Sequence, residues 1–370
     1  MRETFPFVNL KAQYLAYQSE LDAKISEVLS SSAFIIGEEV RLCEQSLAVF
    51  SGTRYAKTTS SGTTALLLAL LALGIKPNDE VITSPFSFIA AAEMIAFIGA
   101  KPVFVDIDER TYHIDVHKIE SAITPKTKAI LPVSLFGMPC DMDSINSIAS
   151  NYALPVIEDA AQSFGATYKQ KRSCHLSTIG VTSFFPSKPL GCYGDGGAVF
   201  CDDEEIDHQI TLLRHHGQSE RYTHQIIGMN ARLDSLQCAI LNVKLQHFAE
   251  EIRLREEKAR FYNENLQGVI LPYIPKDRSS VYAQYSIRAC NSSHSRQKII
   301  ESLHQKGVPI AVHYPLPLHL QECFAFLGYK KGDFPVSERV AEEIFSLPFS
   351  AFITQEEQIK VIESLNALMI

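Results

Sequence analysis

Between about Arg54 and Asp203, short apolar runs alternate with stretches of helix length. The runs are Val81–Thr83, Pro102–Val105, Ala129–Val133, Pro155–Ile157, Val181–Phe185 and Gly197–Phe200, with Phe88–Phe97 and Met142–Ala149 among the intervening segments. Such alternation predicts an α/β fold in which helices wrap a mostly parallel sheet, and the runs are apolar enough to be buried on both faces. From Leu233 the period changes. Leu233, Leu236, Ile240, Leu241, Phe248 and Ile252 recur at helical spacing on a segment running toward Leu266. A helix of that length bends or links two lobes. Beyond about residue 270, a strand-like run at Tyr282–Ile287 and two amphipathic helical stretches predict a second, smaller unit. The expected division is a large domain over residues 1–250, opening with a helical segment, and a small C-terminal domain over 251–370.

Composition narrows the function classes. A chain of 370 residues, 46% hydrophobic and 21% charged, suits two globular units. Its 34 Lys+Arg against 42 Asp+Glu give a net charge of −8, without the basic footprint of a nucleic-acid binder. The densest apolar run, Ala65–Ile75, falls short of the roughly 18 residues a membrane span needs, so no membrane partner is expected. The first residues, Met1 to Pro6, contain no apolar signal core. Eight cysteines, at 43, 140, 174, 192, 201, 238, 290 and 323, form no CxxC pair, which argues against a disulfide framework and a zinc site. The expectation is a reduced, cytoplasmic protein with no metal.

Three stretches carry candidate chemistry. Ser60-Ser61-Gly62-Thr63-Thr64-Ala65-Leu66 leads small polar residues into an apolar helix. Read plainly it is a helix cap; read functionally, free amides and hydroxyls at a helix start hold a phosphate. In Val156-Ile157-Glu158-Asp159-Ala160-Ala161-Gln162 an apolar strand ends in two carboxylates, and in open α/β sheets ligands sit beyond the carboxyl ends of strands. In Ser183-Phe184-Phe185-Pro186-Ser187-Lys188-Pro189-Leu190-Gly191 a lysine follows an apolar strand. Lysines mostly lie on the surface, but apolar flanks suggest partial burial, which lowers an amine's pKa and makes it a usable nucleophile and base. Together a phosphate site, a strand-end acid and a strand-end amine meet the needs of pyridoxal 5'-phosphate: an anchor for its phosphate, a partner for its ring nitrogen and an amine for its aldehyde.

These motifs resemble the DegT/DnrJ/EryC1/StrS sugar aminotransferases. Ser61-Gly62-Thr63-Thr64-Ala65-Leu66, Glu158-Asp159-Ala160-Ala161-Gln162-Ser163, Ser183-Phe184-Phe185-Pro186-Ser187-Lys188, Gly194-Asp195-Gly196-Gly197, Asn230-Ala231-Arg232-Leu233-Asp234 and Val312-His313-Tyr314-Pro315 match that family in order and spacing. The resemblance implies the aspartate-aminotransferase-like fold (fold type I), with pyridoxal 5'-phosphate as cofactor and pyridoxamine 5'-phosphate as its intermediate form. It implies that Lys188 bonds the cofactor covalently and later moves a proton, and that Asp159 pairs with the ring nitrogen. It places Phe88 against the ring, with a plain core Phe as the alternative, and Gln162 either at the ring face or hydrogen-bonded on the side of the phenolic oxygen. Gly62, Thr63 and Ser183 would bind the phosphate. Asn230 would reach the phosphate of the neighbouring subunit, making the unit at least a homodimer with composite sites. Arg232 would meet an anionic substrate group or pair with a carboxylate such as Asp234. His313 and Tyr314 would lie on the substrate side, His313 with a structural alternative.

The implied reaction moves an amino group from glutamate to a keto nucleotide sugar, releasing 2-oxoglutarate. The subgroup most resembled acts on UDP-2-acetamido-2-deoxy-3-oxoglucuronate, for amino sugars of surface polysaccharide or lipopolysaccharide. Enzymes acting on 4-keto UDP-sugars or 3-keto TDP-sugars share the cofactor residues. Lys188 disfavours the dehydratase branch, where histidine replaces the lysine. A regulatory scaffold on the same fold is the alternative of another class. A nicotinamide enzyme would need a Gly-x-Gly-x-x-Gly turn that the sequence lacks.

Overall fold

The computed structural model describes residues 5–289 and 295–369; Met1–Thr4 and Cys290, which figured in the sequence expectations, lie outside them. Two helices come first, α1 (Leu10–Ser31) and α2 (Glu38–Ser51). The sheet and its crossovers follow: β1 (Tyr55–Thr59), α3 (Gly62–Ala72), β2 (Glu80–Thr83), α4 (Ala90–Phe97), β3 (Lys101–Phe104), β4 (Thr127–Ile130), α5 (Met142–Asn151), β5 (Ile157–Asp159), β6 (Ile179–Ser183), β7 (Gly197–Cys201) and α6 (Glu204–Leu213).

The strands join in the order β1-β7-β6-β5 and β3-β2-β4. Parallel bridges Ile130↔Val156 and Val133↔Asp159 connect the two sets into one sheet. Pairing is parallel except at β7, which runs antiparallel to both β1 and β6. The sheet is thus mostly parallel, as expected, and apolar on both faces: Val81, Ile82, Ala129, Ile130, Ile157 and Val181 are all buried. Helix α3 is apolar around its whole circumference and lies between the sheet and α4 and α6, so it needs no polar face.

Helix α7 (Ser235–Asn265) starts at Asp234, whose carboxylate accepts the Gln237 N–H. Its first half packs Leu241 and Phe248 into the core beside the sheet, and its second half packs Ala259 and Tyr262 into a separate C-terminal core. It links the two cores, and the expected boundary at 250/251 falls inside it. The C-terminal core surrounds an antiparallel pair, β8 (Tyr285–Arg288) and β9 (Ile344–Leu347). Three helices accompany it among the described residues, α8 (Arg296–Gln305), α9 (Pro335–Glu343) and α10 (Gln355–Met369), where two were expected. The run Tyr282–Ile287 becomes a strand only at Tyr285, because Tyr282 takes a left-handed φ of 46° and breaks the extended path. No described helix is long and apolar enough to cross a membrane. The seven described cysteines are free.

Candidate active site

Three strand ends converge at the carboxyl edge of the sheet. β1 ends at Thr59 and turns through Ser60 and Ser61 into α3. Ser61 is extended (φ −167°) and its hydroxyl accepts the Thr64 N–H at 3.0 Å. The amides of Gly62 and Thr63, first in the helix, have no intrahelical acceptor. Glycine at 62 and 197 lets this helix start lie directly on the sheet. A Cβ on Gly62 would stand 2.6 Å from the Ser183 Cβ, and one on Gly197 would stand 2.6 Å from the Gly62 nitrogen. The free amides are thereby held beside Ser183, at the end of β6.

β5 ends with Glu158 and Asp159, which point to opposite faces because side chains alternate along a strand. Asp159 faces a cavity of about 530 Å³. Its Oδ1 accepts the Ala161 N–H at 3.0 Å. Burial pushes the carboxyl up; the Ala161 amide and the charge of Lys188 pull it back down. Glu158 faces the other way, fully buried, with oxygens accepting from the Ser134 hydroxyl (2.9 Å) and the Cys174 amide (2.8 Å). Burial raises its pKa from 4.5 to about 7 despite those hydrogen bonds.

The Glu158 shift carries a prediction. The folded state holds a proton that the unfolded state releases above pH 4.5, so the fold loses stability as pH rises toward 7, by up to about 1.4 kcal/mol per pH unit. In Glu158→Gln the amide oxygen still accepts the Cys174 N–H, the amide nitrogen donates to the Ser134 oxygen once that hydroxyl turns, and the side chain cannot ionise. Urea denaturation at pH 5 and pH 7 should show the slope in the parent and its disappearance in the variant; an equal slope in both would refute the assignment.

Lys188 lies five residues beyond β6, half-buried, its N–H bonded to the Phe185 carbonyl at 2.8 Å. Among the described residues no hydrogen bond or ion pair engages its amine. Burial pushes the amine's pKa down, and the charge of Asp159 partly restores it. A neutral fraction is what a nucleophilic amine needs.

The opposite wall comes from the C-terminal half. His313 Nδ1 and the Ser346 hydroxyl are 2.8 Å apart. Burial, and then the charge of Lys188, push His313 down to about 4, so the ring is neutral at neutral pH. The Tyr314 hydroxyl accepts from Gln162 Nε2 at 3.1 Å, while Gln162 Oε1 accepts the Phe136 N–H at 2.8 Å. Gln162 therefore ties the sheet edge to the C-terminal half. Phe88 is 57% exposed at the cavity mouth, 6.5 Å from the Tyr314 ring, and is no core residue.

The structure brings Gly62, Thr63, Phe88, Asp159, Gln162, Ser183, Lys188, His313 and Tyr314 to one cavity. Asn230 and Arg232 do not line it. Asn230 is exposed, in an antiparallel bridge with His215, and Ala231 beside it accepts the Ser60 N–H at 2.9 Å. The Arg232 guanidinium meets the His215 ring; among the described residues it makes no ion pair, and Asp234 serves instead as the cap of α7. The alternative of an Arg232–Asp234 salt bridge is thus corrected. The cavity also takes in Ser61, Ser187, Asp195 and Gln284, which sequence reasoning did not single out as site residues. Ser61, Ser187 and Asp195 lay within quoted motifs; Gln284 lay in the run read as a strand, where nothing marked its side chain as part of a site.

The arrangement fits pyridoxal phosphate: free amides at a helix start for its phosphate, a buried acid for its ring nitrogen and an unengaged amine for its aldehyde, all lining one cavity. The comparisons agree. The model of the DegT/DnrJ/EryC1/StrS aminotransferase family matches residues 16–366. The UDP-2-acetamido-2-deoxy-3-oxo-D-glucuronate aminotransferase of Pseudomonas aeruginosa is 50% identical over 349 residues, 94% of this chain and 95% of that one. The crystal structure of S. venezuelae DesV aligns with a TM-score of 0.96 at 35% identity, covering 99% of this chain and 98% of that chain. NtdA from Bacillus subtilis, solved with bound cofactor PMP, aligns with a TM-score of 0.89 at 32% identity, covering 96% and 82%. The cofactor is pyridoxal phosphate, with pyridoxamine phosphate as its aminated form. With nearly its whole length matched and its fold shared with such enzymes, the chain belongs to the DegT/DnrJ/EryC1/StrS aminotransferase family.

Proposed function

We propose that this enzyme transfers an amino group from glutamate to the 3-oxo group of UDP-2-acetamido-2-deoxy-3-oxo-D-glucuronate. The observation that carries this reading is the 50% identity, over nearly equal lengths, to the Pseudomonas aeruginosa enzyme of that name. The product would supply a surface polysaccharide or lipopolysaccharide, and the reaction would run in the cytoplasm.

When bound, pyridoxal phosphate supplies an electron sink for the carbon that loses its proton. The chain's own groups do the rest. Gly62, Thr63 and Ser183 hold the phosphate, with the helix start contributing roughly 0.3–1 kcal/mol through its dipole. Asp159 would keep a proton on the ring nitrogen. The Lys188 amine would hold the cofactor through its aldehyde and, when free, would move the proton at the substrate carbon. Phe88 and Gln162 cover the ring. His313, neutral, and Tyr314 face the sugar from the small C-terminal domain, taken as residues 251–370. In a homodimer, the exposed Asn230 reaches the neighbouring cavity.

Among the described residues, Lys188 is the one Lys or Arg lining the cavity. A uronate therefore needs a cation from elsewhere, and Arg232, beside Asn230, is the candidate. The test is a panel of keto nucleotide sugars with glutamate, following 2-oxoglutarate release. The 3-oxo-glucuronate should turn over fastest, and Arg232→Ala should slow it about tenfold, the value of one charge-assisted contact, while sparing a neutral 3-keto sugar. Fastest turnover of a 4-keto or TDP-linked sugar would overturn the substrate assignment.

A further inference from the structure

Behind the loop that carries Lys188 lies a buried charge that the chemistry proposed for Lys188 does not use. Lys244, on α7, is 1% exposed. Its Nζ donates to the Gly191 carbonyl at 2.6 Å and stands 4.3 Å from the centre of the Tyr193 ring. Gln237, seven residues earlier on the same helix face, accepts the Tyr193 N–H at 2.8 Å. Glu251, seven residues later and also buried, holds the Gln13 amide with both oxygens, and its charge favours the Lys244 ammonium. One stripe of α7 thus grips the loop at two points, Gly191 and Tyr193.

The loop passes that grip on to Lys188 because it is folded tightly on itself. The Cys192 N–H bonds the Phe184 carbonyl at 2.8 Å, and the Lys188 N–H bonds the Phe185 carbonyl at 2.8 Å. A Cβ on Gly191 would stand 2.5 Å from the Pro186 carbonyl and 2.8 Å from that of Phe185, so a shift at Gly191 displaces the turn that presents the lysine. A buried ammonium is costly to desolvate, and an apolar side chain of similar volume would pack there without that cost. Its hydrogen bond to the loop is what an apolar side chain could not supply.

We propose that Lys244 is a positioning residue: it pins the Phe185–Gly194 loop to α7 and so fixes where the Lys188 amine stands. The proposal rests on Lys188 being the cofactor-bearing amine. Hydrogen exchange of peptides spanning residues 185–194, with and without pyridoxal phosphate, tests the pinning; steady-state kinetics tests its consequence. Lys244→Met should speed exchange in this loop by at least about tenfold, leave exchange in α8 and α10 unchanged, and lower kcat about tenfold with KM for glutamate within about twofold. Val361→Ala, in the separate C-terminal core, should lose stability without touching loop exchange. Should Lys244→Met fail to fold, Lys244→Gln, shorter and uncharged, is read in the same way. Parent-like loop exchange together with parent-like kcat overturns the proposal. If Lys188 does not carry the cofactor, the loop result still stands or falls by itself, because exchange without cofactor does not depend on it.

Discussion

Lys188→Ala should lower turnover by at least about 10³-fold, since it removes both the covalent attachment point and the group that moves the proton, a role worth 10²–10⁴ by itself. The rest of the cavity should survive. Lys188 is half-buried, and among the described residues no side chain depends on its amine for a hydrogen bond, so removing it leaves no buried partner unsatisfied. The variant should therefore fold and still bind pyridoxal phosphate through the α3 amides and Asp159. Release of 2-oxoglutarate in a single-turnover experiment with glutamate measures the loss at the first half-reaction, before any sugar enters. A variant that retained a tenth of the parent rate would show that some other amine does this work.

The second large effect belongs to Asp159. Asp159→Asn keeps the size of the side chain and an oxygen to accept the Ala161 N–H. It cannot hold a proton on a ring nitrogen. The charge-assisted hydrogen bond that disappears is worth roughly 1.5–3 kcal/mol, or about 10–150-fold. The loss should fall on kcat and on cofactor affinity together, because the same contact binds the ring and sustains its electron demand. Cofactor titration by absorbance and glutamate half-reaction kinetics measure the two separately. Glu158→Gln, one residue back and on the opposite face, should leave kcat within about twofold, as expected of a group whose hydrogen bonds lie inside the protein. If the two substitutions exchanged effects, the assignment of the strand-end acid would be wrong.

Much of this site is legible in the sequence because its acid and its amine sit where an apolar strand gives way to polar residues. Asp159 closes Val156-Ile157, and Lys188 follows three residues after the run Val181–Phe185; Ser183 lies inside that run and is marked by the motif around it alone. Elsewhere the pattern is silent for physical reasons. β1, Tyr-Ala-Lys-Thr-Thr, has too few apolar residues to read as a strand; its burial comes from pairing with β7 and packing under α2 and α6. The reversed direction of β7 is also hidden, since an apolar run reads the same either way. Gln284 reaches the cavity from an irregular segment more than a hundred residues beyond Asp159, and no local period marks it. Lys244 shows the opposite failure. A lysine in a long helix reads as a solvent-facing residue, and only the folded loop against it reveals a buried contact. The division into domains is blurred for a related reason: one uninterrupted helix carries core residues of both units.

The most direct test is chemical. The enzyme is loaded with pyridoxal phosphate, reduced with borohydride, digested and mapped by mass spectrometry. A phosphopyridoxyl group on Lys188 alone, absent in Lys188→Ala, is the expected result. The group on Lys244 or another lysine, or on none, would contradict it.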